Sequence, residues 1–346
     1  MLHFSFINKS RLSAVIGLAA MALSGCSLLE EDLPACPAQL QLQFVYDYNL
    51  LEADAFASQV TSVNVWAFDL SGACVWSGVE SGESLKDPNF TMVTPLGEGT
   101  YDFVVWAGLD GNSDFEVGTY TPSDRRDLDM KLKTETKDGL NISSSQFKGL
   151  FHGTLSNITY TIDPMKPSIQ TETVSLIKDT NTLAVMLQNE NGHVLDSKDF
   201  TVSFSYADSW LDWNNQVMPT SPLVTYTPWS ILYGETTLGP VNRAEENAVR
   251  STLLYELSLS RLILGGNAYL DVFRNTDGKN IIHLPLIEFL ILGKGNRYSH
   301  FGDQEYLDRR DDFSAMFFID EDNDWYMAAG IYINGWAVVP PQNEGF

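Results

Sequence analysis

Residues Gln39 to Asp47 set the strongest constraint on what this chain can fold into. Leu40, Leu42, Phe44 and Tyr46 alternate with Gln39, Gln41, Gln43 and Asp47. A period of two places the apolar side chains on one face and the amides on the other, which is the signature of a half-buried strand. No helix can use that pattern, because its apolar stripe recurs every three to four residues. The alternation returns at Phe200 to Tyr206, where Phe200, Val202, Phe204 and Tyr206 share a face.

Between and beyond these two stretches the chain reads as many short strands joined by turns. Val60 to Phe68 is a strand, Asp69-Leu70-Ser71-Gly72 is turn chemistry, and Ala73 to Trp76 returns as its hairpin partner. A polar loop is expected over Ser77 to Pro88. Tyr101 to Ala107 is almost wholly apolar, as a strand buried on both faces requires. Asp110 to Asp138 is polar and mixed. Leu150 to Ile162, Gln170 to Ile177, Thr182 to Gln188, Thr252 to Ile263 and Tyr269 to Phe273 are further strand-like runs. Asn275 to Gly278 turns the chain into Ile281 to Leu284. Phe313 to Ile319, Trp325 to Ile333 and Trp336 to Val339 finish it. Short helices are expected only at Leu51 to Gln59, Leu286 to Leu292 and Gln304 to Arg309. Many strands with few helices predict an all-β chain of sandwiches. The pattern restarts near Lys178, which predicts two sandwich domains in tandem, 38–175 and 176–346.

The N-terminus has a different character. Lys9 and Arg11 precede an apolar run, Leu12 to Leu23, broken only by Ser13 and Gly17. The run ends in Leu23-Ser24-Gly25-Cys26. A basic start, an apolar centre and small residues describe a secretory signal. The terminal cysteine makes the pattern resemble a bacterial lipobox, in which the sulfur receives a diacylglycerol and cleavage leaves Cys26 as the first residue. The alternatives are an ordinary signal peptide or a short membrane anchor. The run is too short to span, since a helix needs roughly 20 apolar residues to cross the bilayer core. Residues 1–25 are therefore expected to be a lipoprotein signal peptide and 26–37 a tether. Acyl chains on one cysteine suffice as an anchor at about 0.8 kcal/mol per buried methylene. The tether carries Glu30, Glu31 and Asp32, a cluster that is similar to a surface-export signal of bacterial lipoproteins and that serves equally as a solvated linker.

Charge narrows the partners. The whole chain carries −24, and because the signal holds two basic residues and no acid, the chain from Cys26 onward carries −26. Nucleic acid demands clustered Lys and Arg and is excluded as a partner. Adsorption to anionic lipid is disfavoured for the same reason, which leaves the acyl group to do the anchoring. Of three cysteines, Cys36 and Cys74 remain once Cys26 is lipidated. Outside the cytoplasm they form a disulfide or stand as two separate buried thiols.

No motif carries an enzyme. The chain has no G-x-S-x-G elbow, H-E-x-x-H pair or phosphate loop. His152, His193, His283 and His300 are scattered without ligand spacing. Asp320, Asp322 and Asp324 match the start of a calcium loop, but Trp325 stands where glycine is needed and Ile331 where a bidentate Glu belongs. An acidic hairpin turn is expected there, and no metal or cofactor. Trp210 and Trp213, beside Asp208, Asp212 and Asn214, offer either a sugar-stacking platform or packed core aromatics.

Taken in order, several stretches resemble the FimB-like fimbrillin-associated anchor proteins of type V pili. Cys36-Pro37 leads to Phe44-Val45-Tyr46-Asp47-Tyr48-Asn49. Asp54-Ala55-Phe56 precedes Val63 to Asp69, and Gly99-Thr100-Tyr101 enters Val104 to Gly108. Later come Asp199-Phe200-Thr201, Trp210-Leu211-Asp212-Trp213-Asn214, Tyr226-Thr227-Pro228-Trp229 and Ser260-Arg261-Leu262. Pro285-Leu286-Ile287, Glu305-Tyr306-Leu307-Asp308-Arg309 and Ile333-Asn334-Gly335-Trp336 complete the set. The resemblance implies two transthyretin-like β-sandwich domains, no enzymatic activity, and lipid attachment at the outer membrane through Cys26. It also implies stem fimbrillin subunits as partners, held at the base of a fimbrium whose elongation the protein caps. In such pili the stem subunits lose a first strand to a trypsin-like protease. Here no Lys or Arg lies between Cys26 and Leu85, and the first basic residue is Lys86. The alternatives are a surface glycan-binding lipoprotein and a fimbrial tip adhesin.

Overall fold

In a computed structural model of the chain, described for residues 38–163, 165–189, 192–238, 248–327 and 330–338, strands dominate as the alternation requires. The opening strand, Ala38–Val45, lies inside a three-stranded sheet between Ser168–Ser175 and Thr91–Thr94. Leu40 pairs with Thr94 and Gln43 with Thr91, antiparallel. A five-stranded sheet faces it, in the order Ile177–Lys178, Phe151–Tyr160, Gly99–Ala107, Ser62–Asp69, Cys74–Ser81. Leu40, Leu42 and Phe44 from one sheet and Val63, Val65, Phe103 and Val105 from the other form one buried cluster. Burying each such side chain is worth roughly 1.5–3 kcal/mol.

Gly99–Ala107 is buried on both faces from Phe103 onward, as its composition predicted. Its other face presents Val104 and Trp106, which join Trp66 and Phe68 in a further, larger cluster. At its end Gly108 takes φ +84°, and a Cβ there would stand 2.0 Å from the Gly149 carbonyl oxygen, so only glycine fits.

The larger cluster fills the space between two six-stranded sheets. One runs Ser230–Leu238, Ala248–Leu259, Asn181–Asn189, Asp312–Phe318, Ile331–Ile333, Trp336–Val338. The other runs Lys279–Pro285, Tyr269–Arg274, Phe200–Tyr206, Val224–Tyr226, Leu140–Ser143, Glu135–Lys137. Residues on both sides of residue 175 therefore share a sheet. A small sheet does the same, pairing Phe115–Val117 and Asp129–Leu132 with Trp210–Asp212. Gln39–Thr161 and the chain from Gln170 onward form a single compact unit.

Several boundaries depart from the sequence reading. The hairpin partner expected to stop at Trp76 runs on to Ser81, because Ser62 to Val65 supply backbone partners that far. The expected helix over Leu51 to Gln59 is confined to Phe56–Gln59. The Asp54 carboxylate accepts from the backbone N–H of both Tyr46 and Phe56, which fixes the preceding residues as a loop. Asp110 to Asp138 holds three short strands, one of which, Asp129–Leu132, is stitched to a distant partner. Trp325 to Ile333 is a strand only over Ile331–Ile333. The helix Leu286–Leu292 has the expected bounds, and the next spans Asp303–Arg309.

Candidate functional site

The motif residues that are scattered in sequence meet in space around one buried cation. Arg261 is 7 % exposed and grips Asp308 through two bonds, Nε to Oδ1 at 2.9 Å and Nη2 to Oδ2 at 2.8 Å. Its Nη1 donates to the carbonyl oxygen of Asn215. Asn215 sits at φ +59° and donates through Nδ2 to Asp179 Oδ1 at 2.8 Å. A guanidinium stripped of water is tolerated only when its fork is filled in this way. Gln304 Nε2 completes the group, donating to Asp308 Oδ1 and to the Leu262 carbonyl. One residue along the helix, Arg309 lies 4.0 Å from the centre of the Tyr48 ring and donates to the Asp47 and Asn49 carbonyls. Asn334 Nδ2 donates to Tyr306 Oη at 3.2 Å. Residues in four of the stretches that carried the resemblance are thus joined by direct bonds, and Asn215 directly follows a fifth. The role of Arg261 was not legible from its spacing, since its partners lie 46 and 47 residues away.

The tryptophan stretch is built onto the same cluster. Trp210–Asp212 pairs with Asp129–Leu132, and the Asp212 carboxylate accepts from the N–H of Asn214 and Gln216, closing a tight turn. Leu211 points into the core. The Arg125 guanidinium covers the Trp213 ring at 4.6 Å and the Lys131 ammonium covers Trp210 at 4.8 Å. Each ring thus carries a cation over one face, Arg125 from the short 3-10 turn Arg125–Asp127 and Lys131 from the paired strand. The Trp213 carbonyl oxygen bonds His152 Nε2 at 3.0 Å. Burial lowers the His152 pKa to about 3, so the ring is neutral and the bond fixes Nε2 as its N–H donor. Asp208, fully buried beneath the turn, accepts from Tyr226 Oη at 2.5 Å. With no cation among its hydrogen-bond partners, desolvation raises it to about 7.

The acidic turn is an internally bonded hairpin. Asp320 Oδ1 accepts from the N–H of Asp322 and Asp324, and the Asp324 carboxylate meets Lys279 at 2.5 Å and Arg274 at 3.7 Å. Among the described residues no group of three metal-ligating side chains converges. His283 pairs with Asp271 at 2.6 Å and stacks on Tyr269 at the surface, and His300 lies 3.9 Å from Glu52. The backbone N–H of His193 donates to Asn189 Oδ1. Cys26 and Cys36 lie outside the described residues. Cys74, the other cysteine of the candidate pair with Cys36, is half-buried, with its Sγ 3.5 Å from the Trp76 carbonyl oxygen.

The opening strand is secured on both sides. Thr94 Oγ1 donates to the Leu40 carbonyl at 2.9 Å, and Gln41 Nε2 donates to Thr171 Oγ1 at 2.7 Å. Leu40, Leu42, Phe44 and Tyr46 are all buried.

A sequence model of the fimbrillin-A associated anchor proteins Mfa1 and Mfa2 matches residues 33–340. Among solved structures, a candidate adhesin of Bacteroides thetaiotaomicron is 32 % identical, covering 88 % of this chain and 99 % of its own, with a TM-score of 0.74. A candidate polysaccharide-binding protein of the same organism is 25 % identical over 88 % and 99 %, with a TM-score of 0.71. The fimbrial anchor protein Mfa2 of Porphyromonas gingivalis shares the fold, with a TM-score of 0.64 at 16 % identity over 88 % and 99 %. No curated protein matches the sequence.

Proposed function

Because the chain belongs to the fimbrillin-A associated anchor protein family, we propose that it is a lipid-anchored fimbrial subunit of the cell outer membrane that holds the fimbrium to the cell and ends its elongation. Residues 1–25 direct export and are removed. Cys26 carries the lipid and 26–37 is the tether; two sandwich domains follow, 38–175 and 176–346, which exchange strands across that boundary, Leu140–Ser143 completing a sheet of the second and Ile177–Lys178 a sheet of the first. Its partners are the stem subunits, and it is not an enzyme.

The observation that supports the capping role is the place of Ala38–Val45. The strand sits inside its own sheet with Leu40, Leu42 and Phe44 buried, and Tyr46 is buried just beyond its end. Removing it would expose that face and two ladders of backbone groups. No Lys or Arg precedes Lys86 after the signal, so an Arg- or Lys-specific protease has no site near the strand. A subunit that keeps its first strand offers no vacant groove to another, and growth ends with it.

The Cys26→Ser protein tests the anchor. Metabolic labelling with a fatty-acid analogue should mark the wild type alone, and cells carrying the variant should shed their fimbriae. Label on the variant overturns the lipid site. N-terminal sequencing of the protein from assembled fimbriae tests the cap, because a start beyond Tyr46 means that the strand is removed after all.

A further inference from the structure

The six-stranded sheet that begins with Ser230–Leu238 has two unequal edges. One is Trp336–Val338, a strand of 3 residues. The other is Ser230–Leu238, a strand of 9 residues paired with Ala248–Leu259 and with no other strand among the described residues. At about 3.3 Å per residue that is roughly 30 Å of unpaired backbone edge. Register sets Ile231 opposite Tyr255, Leu232 opposite Leu254 and Tyr233 opposite Leu253. Ile231 and Tyr233 therefore continue the face on which Leu253 and Tyr255 are core, while Leu232 stands on the other face. All three remain about half exposed, at 49 %, 53 % and 49 %.

Other edges of this molecule show how it blunts strands. Lys279–Pro285 opens on a lysine and exposes His283. Glu135–Lys137 is three residues long with a charge at each end. Natural edges are protected by charge, proline or shortness. Ser230 to Gly234 has none of these, and its nearest charge, Glu235, accepts from Tyr233 Oη at 2.9 Å.

We propose that Ser230–Glu235 is a docking edge for an extended segment of another polypeptide, which adds as a strand outside Ser230–Leu238. The edge specifies the occupant. Its backbone must be extended, to match alternating N–H and C=O groups. Its side chains must be apolar on both faces, to cover Ile231 and Tyr233 on one side and Leu232 on the other. It must be neutral or basic, because the chain from Cys26 onward that it meets carries −26. A second copy fails that last condition, since it brings the same charge. Identifying the occupant as a fimbrial subunit rests on the anchor reading, whereas the open edge does not.

The test places a photo-crosslinking residue at Leu232 of the full lipidated chain in fimbriated cells, with the same group at Leu51, 81 % exposed, as control. One adduct is expected from Leu232 and none from Leu51, mapping to a single apolar run of a fimbrial subunit that carries no acidic residue. Leu232→Lys should lower retained fimbriae about tenfold or more, while Leu232→Ala, which keeps the edge uncharged, lowers them less. No adduct at Leu232, equal adducts at both positions, an adduct to a second copy, or full retention with Leu232→Lys overturns the docking edge. Should Leu232→Lys not fold, the adduct decides alone. Shedding by Cys26→Ser without an adduct at Leu232 sinks the edge and leaves the anchor reading standing. An adduct to such an apolar run of a non-fimbrial protein, with fimbriae retained by Cys26→Ser, supports the edge and sinks the anchor reading.

Discussion

Trp210 to Asn215 and Ser230 to Glu235 lie within 30 residues of each other, and each presents large apolar side chains. In sequence the tryptophan stretch reads either as a sugar-stacking platform or as packed aromatics, and in the fold it is a packed turn, with Arg125 over the Trp213 ring and Lys131 over the Trp210 ring. Ser230 to Glu235 carries no assignment in the sequence reading, yet in the fold it belongs to an edge strand with one partner among the described residues. The difference is topological. Trp210–Asp212 has Asp129–Leu132 beside it, brought from the other half of the chain. Among the described residues Ser230–Leu238 has a neighbour on one side alone. Aromatic content says how much surface a residue can bury, and strand order says whether anything arrives to bury it.

Arg261 gives the sharpest way to break this contrast, because the turn stands on it. Arg261→Ala leaves the Asp308 carboxylate buried without its cation and the Asn215 carbonyl without its donor. Removing one partner of a buried pair costs about 3–5 kcal/mol. Urea denaturation should show that loss, with the fluorescence of the turn's tryptophans moving at lower denaturant. A loss below 1 kcal/mol, taken as about the value of an exposed pair, means that the pair is not sealed.

Trp213→Ala comes next. The ring is partly buried, packs against the larger core cluster and carries Arg125 on its face. The expected loss of stability is about 1–3 kcal/mol, less than for a wholly buried Trp. A platform residue exposed for ligand would show almost no loss of stability, so the same melt separates the two roles.

The pH dependence of stability probes the floor of the turn. Asp208 titrates near 7 when folded and near about 3.9 when unfolded. A raised carboxyl favours the folded state while it holds its proton. Its contribution is complete below about pH 4 and is lost as pH rises to about 7. Buried His152 acts in the opposite sense, destabilising the fold as pH falls below about 6.5. Comparing wild type with Asp208→Asn isolates the carboxyl. The stability difference, wild type minus variant, should fall across that window and then level off. A flat difference means that Asp208 is ionised throughout.

How far these features were legible follows from the distance between partners. Ala38–Val45 and Phe200–Tyr206 were readable because alternation is local, and Leu286–Leu292 because Pro285 and Gly293 bracket an apolar run. Phe115–Val117 and Asp129–Leu132 were not, since three- and four-residue strands carry too little pattern. Phe115–Val117 pairs with Asp129–Leu132, whose other partner, Trp210–Asp212, lies some 80 residues on. Arg261 and Asp308 stand in two of the stretches that resemble the family, yet nothing local says that they touch. An open edge is harder still, because it is a statement about a strand that is absent from the sheet.

The smallest effect is the most telling for the contrast. Leu232 is 53 % exposed, and its cross-strand partner Leu254 is itself only partly buried. Truncating it removes little buried area and opens no cavity, so Leu232→Ala should stay within about 0.5 kcal/mol of wild type. Ile231→Ala and Tyr233→Ala should cost slightly more, because they lean toward Tyr255 and Leu253 on the core face. A leucine that is half exposed, adds nothing measurable to stability and interrupts no charge pattern is not held there by the fold. If Leu232→Ala instead lost as much as Trp213→Ala, the edge would be covered within the chain, and the two regions would be alike after all.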